Sequence, residues 1–262
     1  MSPNNGPSHI GAQMYTLREH CKTTADIAKT CKRLKDIGFE AIQASAAGFN
    51  EIEAGELKKI LDDNGLKCVA THQGMGAMAE TEKIVEYHKT IGCELTAIGG
   101  HRGETLEDWK SFIDQYSELG RTLAAKGLKI GYHNHSHELA PLDAPAMNAK
   151  RPLDLLVEGL DQSVWFEIDT YWIAHGGGDP AAWIDAVAGR IPAVHVKDMT
   201  ITAGREQKMC EVGSGNLNWP RILESCRNAG VQWYLIERDA GDLDPFESLK
   251  ISLENLREMG VW

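Results

Sequence analysis

The chain has 262 residues, 42% hydrophobic and 25% charged, which is enough apolar sequence to bury a sizeable core. Its formal net charge of −11 lacks the basic footprint of a nucleic-acid binder, so no nucleic-acid partner is expected. No apolar run approaches about 18 residues and "MSPNNGPSHIGAQ" does not read as a signal peptide, so neither a membrane partner nor secretion is expected.

Residues 1–8 read as a flexible tail. From there strand-like and helix-like stretches alternate to the end. "HIGAQMYTL" predicts a first strand, and "TADIAKTCKRLKDIG" a helix closed by Gly38. "EAIQAS" and "AGELKKILDDNG" form the second pair, "KCVATHQ" and "ETEKIVEYHKTIG" the third, and "ELTAIGG" with "TLEDWKSFIDQYSELGRTLAAKG" the fourth. "LKIGYHNHSHEL" is strand five, followed by the helical "PLDLLVEGL". "SVWFEID" and "DPAAWIDAVAGR" are the sixth pair. "IPAVHVKDM" and "NWPRILESCRNAG" are the seventh, and "VQWYLIERD" and "DPFESLKISLENLREMG" the eighth. Eight such units without a linker predict an α/β fold, a single-domain (β/α)8 TIM barrel over residues 9–262. No GxGxxG turn follows the first strand, which argues against a doubly wound open sheet. The six cysteines are scattered without a CxxC pair. They read as reduced thiols in a cytoplasmic protein, not as a disulfide framework.

In a barrel of this kind catalytic groups collect at the carboxyl ends of the strands. Strand three ends at His72, strand four runs into His101, and strand five into His133, His135 and Glu138. Strand six ends in Glu167 and Asp169, strand seven in His195 and Lys197, and strand eight in Glu237 and Asp239. Alternation along a strand puts Glu167 with Asp169 on one side, His195 with Lys197, and Glu237 with Asp239, and turns Arg238 the other way. Strands five to eight are neighbours, so Glu138, Asp169, His195 and Glu237 can face one point, each about one βα unit from the last. Three carboxylates around one point repel unless a cation sits among them. Three oxygens and one imidazole suit one divalent metal ion: Mn²⁺, Mg²⁺, Co²⁺, Zn²⁺ or Fe²⁺.

The stretches "GYHNHSHEL", "FEIDTYWIAHGGGDP", "VHVKDM", "EVGSGNLNW" and "LIERD", in this order, resemble the sugar phosphate isomerase/epimerase superfamily, the xylose isomerase-like barrels. The resemblance implies a metal, manganese first, held by Glu138, Asp169, His195 and Glu237, with Glu138 and Glu237 doubling as acid/base groups. In the epimerase branch the strand-five glutamate falls near Tyr132 or His133; this chain instead carries Glu138 in an HNHxxE pattern. The implied activity is a metal-dependent sugar isomerase or epimerase acting through an enediolate on a keto- or aldo-sugar, phosphorylated or not. The alternative is a dehydratase or β-eliminating lyase acting on a keto-sugar or keto-cyclitol.

Around the metal, His72, His101, His133, His135, Trp172 and Lys197 are the expected contacts to a small sugar substrate; homo-oligomerisation is left open. Trp172 serves either as an apolar wall behind a sugar ring or as ordinary packing. "EVGSGNLNW" reads as a tight loop with Asn216 or Asn218 as a helix cap, in preference to an anion cradle.

Overall fold

The computed structural model describes residues 9–142 and 149–262; the tail expected at residues 1–8 lies outside the described residues. In chain order the elements are β1 (His9–Gln13), α1 (Thr24–Ile37), β2 (Ala41–Ala44), α2 (Ala47–Glu51), α3 (Ala54–Asn64), β3 (Lys67–His72), α4 (Met75–Ala79), α5 (Thr81–Ile91), β4 (Leu95–Ile98), α6 (Leu106–Ala124) and β5 (Lys129–His133). There follow α7 (Pro152–Gly159), β6 (Trp165–Glu167), α8 (Thr170–His175), α9 (Pro180–Ala186), β7 (Ala193–Val196), β8 (Asp198–Ile201), β9 (Gln207–Cys210), α10 (Trp219–Ala229), β10 (Trp233–Ile236) and α11 (Pro245–Glu258). Eight parallel strands pair in the order β6-β5-β4-β3-β2-β1-β10-β7. The circle is closed between β6 and β7 by a bridge from Asp169 to His195, with His195 N–H donating to the Ile168 carbonyl at 3.0 Å. This is the expected TIM barrel in one domain. No helix among the described residues is long and apolar enough to cross a membrane.

Two apolar layers hold it. The larger lies between strands and helices, where each amphipathic helix buries one face. The smaller fills the barrel itself with Ala97, Trp165, Ala193 and Leu235, flanked by Val69, Leu95 and Trp233. Trp165 fits only because its neighbour on β5 is Gly131: a Cβ there would meet the indole at 2.3 Å.

Three departures from the expected elements shape the mouth. β1 ends at Gln13, where a 3-10 turn over Met14–His20 begins. The stretch expected as strand seven divides at Lys197, and an antiparallel hairpin, β8 with β9, rises from the rim. β3 carries one extra residue against β2, since Ile42 pairs with Cys68 but Gln43 with Ala70. Paired residues share a face, so the bulge sets Ala70, and two residues on His72, on the inner side with Gln43.

Candidate metal-binding active site

A pocket of about 390 Å³ opens at the carboxyl ends of the strands, among them Gln13, Tyr15, His72, His133, Lys197 and Glu237. A larger cavity of about 550 Å³ lies at the opposite end, by Lys67, Leu95 and Trp233, and none of the convergent His/Asp/Glu sets lies there.

Beneath the pocket, ligand atoms of His133, Asp169, His195 and Glu237 lie within 4.8 Å of one another, all buried. His195 Nδ1 is 2.8 Å from Glu237 Oε2 and 3.7 Å from Asp169 Oδ2. His133 Nε2 is 3.3 Å from the same Asp169 oxygen. The two oxygens of Asp169 are divided between tasks. Oδ1 caps α8 by accepting from Trp172 N at 2.9 Å, which leaves Oδ2 for the cluster. Asn134 Oδ1 accepts from Asp169 N at 3.0 Å and fixes its backbone.

On the other side of the His195 ring stands a second set, His72, Glu167 and His195. Here the protons can be assigned by elimination. A carboxylate only accepts, so Gln43 must present its amide N–H to Glu167 Oε1 at 2.8 Å, and His72 its Nε2–H to Glu167 Oε2 at 2.6 Å. Gln43 Oε1 then faces His195 Nε2 at 2.6 Å and accepts its proton. Glu167 thereby dictates the His195 tautomer: Nε2 carries hydrogen, and in the neutral ring Nδ1 offers its lone pair to Asp169 and Glu237.

Charges follow the same geometry. Burial would raise the carboxyl of Glu167, but the imidazoles of His195 and His72 hold it well below the usual range. Asp169 and Glu237 are held low against burial chiefly by the Lys197 ammonium. Burial would lower His195, yet Glu167 and then Glu237 push it well above an ordinary imidazole. For His133 and His135 burial outweighs the pull of the nearby carboxylates and brings them down to about 3 and about 4. Asp239, buried beside Glu237, rises to about 6.

A divalent ion fits the Nδ1 side of His195. His195 Nδ1 is buried without an aligned hydrogen-bond partner among the described residues, and Glu237 Oε2 beside it, 2.8 Å away, meets only cationic neighbours, with the Lys197 ammonium 2.7 Å off. On the Nε2 side, by contrast, the facing atoms all have hydrogen-bond partners.

Of the residues expected from the sequence, Asp169, His195 and Glu237 converge. His72, His133, His135, Trp172 and Lys197 line the pocket. Glu138 is not brought to the cluster. β5 ends at His133, and Glu138 sits on a 3-10 turn, where its carboxylate accepts from Tyr132 Oη–H at 2.7 Å and His135 N–H at 2.9 Å. His101 is likewise not among the pocket-lining residues. Its ring stacks on Phe112 of α6, centroids 4.1 Å apart. Arg238 turns outward as alternation predicts and pairs with Glu211 at 2.6 Å. In "EVGSGNLNW", Asn218 caps α10, and the N–H groups of Gly213 and Gly215 cradle an anion that the chain itself supplies, the buried Asp198 carboxylate. Gln43 and Asn134 escaped sequence reasoning. The one signal was a polar residue inside the apolar "AIQAS" and between the histidines of "HNH".

Residues 31–259 match the family model described as xylose isomerase-like TIM barrel. The chain belongs to this family. Among curated proteins it is similar to the rhizopine catabolism protein MocC of Rhizobium meliloti, 25% identical over 250 residues, 80% of this chain and 74% of that one. It is also similar to an inosose dehydratase of Clostridium beijerinckii, 29% identical over 159 residues, 54% of this chain and 51% of that protein. Among solved structures, a sugar phosphate isomerase/epimerase from Parabacteroides distasonis superposes with a TM-score of 0.79 at 22% identity, covering 98% and 96% of the two chains. The IOLI protein with a bound zinc atom superposes at 0.70 with 13% identity, covering 95% and 97%. These two solved structures share the barrel fold with the chain.

Proposed function

We propose that the chain is a divalent-metal-dependent enzyme that removes a proton next to the carbonyl of a keto-sugar or keto-cyclitol and then expels a β-hydroxyl or β-alkoxy group. The asymmetry of the pocket carries this reading. Carboxylates, Glu237 and Asp239, stand on the β10 side, and imidazoles, His72, His133 and His135, on the β3 and β5 side. Elimination uses a base for the carbon-bound proton and a separate acid for the leaving oxygen. Epimerisation draws on two groups that exchange a proton at one carbon from opposite faces, and the carboxylate the sequence offered from strand five, Glu138, is committed to Tyr132 and His135. The similarity to MocC and to inosose dehydratases supports the same class.

Asp169, His195 and Glu237, with His133 beside them, would hold the ion, manganese being the first to try. When bound, a divalent ion supplies Lewis-acid stabilisation of the charge that develops on the carbonyl and neighbouring oxygens. Glu237 takes the carbon-bound proton. His72 is fixed by Glu167 through Nε2, and its Nδ1 lies on the side of pocket-lining Gly99, 3.9 Å from where a Cβ on that glycine would stand. As an imidazolium, with Nε2–H kept on Glu167 and a second proton on Nδ1, it delivers the Nδ1 proton to the leaving oxygen and is left neutral. Trp172 offers a flat apolar face, and its buried indole N–H has no hydrogen-bond partner among the described residues, so it is available to a hydroxyl. A second reading, isomerisation or epimerisation through the same enediolate, is favoured by the placement of Glu237 and His72 on different walls of one pocket.

The test is incubation with inososes, keto-sugars and 3-keto-glycosides in D₂O with added Mn²⁺, Co²⁺ or Mg²⁺, read by NMR. The expected result is solvent deuterium next to the carbonyl together with release of water or aglycone, both abolished by a chelator. A clean epimer or isomer without an elimination product would establish the second reading. Turnover that needs a nicotinamide and shows no exchange would refute enolisation.

A further inference from the structure

The Lys197 side chain is 2% exposed, and a buried ammonium must be compensated. It lies 3.1 Å from Asp169 Oδ2, 2.7 Å from Glu237 Oε2 and 3.0 Å from Asp239 Oδ2. The first two oxygens are the same ones that face His195 Nδ1. The ammonium and a divalent ion therefore draw on one pair of oxygens. Asp239 is outside the convergent set and holds the ammonium through both carboxylate oxygens, at 3.0 and 3.2 Å. Trp172 adds its ring face, 5.6 Å from Nζ to the centroid. Lys197 thus has two anchors that do not depend on Asp169 and Glu237.

On the reading that the metal sits on the Nδ1 side of His195, we infer that Lys197 is a built-in counter-ion of the metal site. It neutralises Asp169 and Glu237 while no metal is bound and lowers the affinity for a divalent cation. It yields those oxygens by leaning on Asp239 and Trp172 when a cation enters. Two consequences separate this role from a merely structural one. Removing the ammonium frees the two oxygens and takes away a like charge, so metal binding tightens. It also leaves buried carboxylates facing one another without metal, so the metal-free protein becomes less stable while the metal-bound protein recovers.

The experiment is calorimetric titration of chelator-stripped protein with Mn²⁺, with melting temperatures taken with and without Mn²⁺. The proteins are wild type, Lys197→Met, Asp239→Asn and the double variant. Lys197→Met is expected to bind Mn²⁺ at least tenfold tighter than wild type, to melt lower without metal, and to gain more from saturating Mn²⁺. Should Lys197→Met alone fail to fold, the double variant against Asp239→Asn measures the same removal with fewer uncompensated acids, and tighter binding in the double variant is again expected. Equal or weaker Mn²⁺ binding on removal of Lys197 in either background would overturn the counter-ion role and leave the metal reading standing. No Mn²⁺ binding by any of the four proteins would overturn both.

Discussion

Glu167→Gln is the substitution that probes the site most directly. The side chain is fully buried and meets three donors: Gln43 Nε2 at 2.8 Å, His72 Nε2 at 2.6 Å and His195 Nε2 at 3.2 Å. Glutamine has the same shape but only one oxygen. Whichever way its amide is turned, an N–H meets another N–H. If it faces Gln43, that amide must flip, present its own N–H to His195 Nε2 and push the ring proton onto Nδ1, the atom aimed at Asp169 and Glu237. A hydrogen bond to a charged partner contributes about 1.5–3 kcal/mol, and each 1.4 kcal/mol is about a factor of ten. The expected loss of Mn²⁺ affinity is therefore about 10- to 100-fold, the range typical of losing a partner behind a metal-binding histidine. An opposing effect is smaller. Without Glu167, His195 gives up its proton more readily, but the lost charge attracted a divalent ion about twice as strongly as that proton. Calorimetry on the stripped protein measures the affinity, and ¹⁵N-histidine NMR reads the tautomer. Affinity within twofold of wild type, with Nε2 still carrying hydrogen, would refute the assignment of Gln43 and Glu167.

Two further substitutions test the surroundings. Gly131→Ala puts a Cβ 2.3 Å from the Trp165 indole, a ring tethered by its N–H to Lys129 O, and should destabilise the barrel by roughly 1–3 kcal/mol. Thermal melting should fall accordingly, and an added Trp165→Leu should restore part of the loss; an unchanged melting temperature would show that the barrel interior has slack. His135, brought down by burial to about 4 against about 6.5 in the unfolded chain, penalises the metal-free fold in acid. The unfolded state takes up this proton first as pH falls below about 6.5, so stability is lost between there and pH 4. Denaturant unfolding of His135→Gln should therefore show a variant that gains on wild type through that window, by about 2 to 3 kcal/mol at its lower end. A difference flat with pH would mean that His135 takes up its proton equally in the folded and unfolded chain, and would refute the burial penalty.

Periodicity and the positions of acids made the barrel and most of its inward-facing ligands legible in the chain alone. The strand–helix rhythm over residues 9–262 dictates eight units, because an apolar stripe with a period of 2 or 3.6 can be buried in only a few ways. An apolar run ending in carboxylates, as "VWFEID" does, marks the end of the barrel where the site lies, and strand alternation placed Asp169, His195 and Glu237 inward and Arg238 outward. Tertiary structure alone decided which side chain joins them from β5. Glu138 and His133 are five residues apart in one motif, and the choice between them depends on where pairing with β4 and β6 stops, here at His133. Beyond that residue the chain turns, and Tyr132 and His135 claim the carboxylate. The same holds for Gln43, which reaches His195 across 152 residues of sequence, and for His72, aimed inward by an extra residue in β3. Local pattern fixes which face of an element is apolar. The partner met across the barrel depends on register and closure, which no single segment contains.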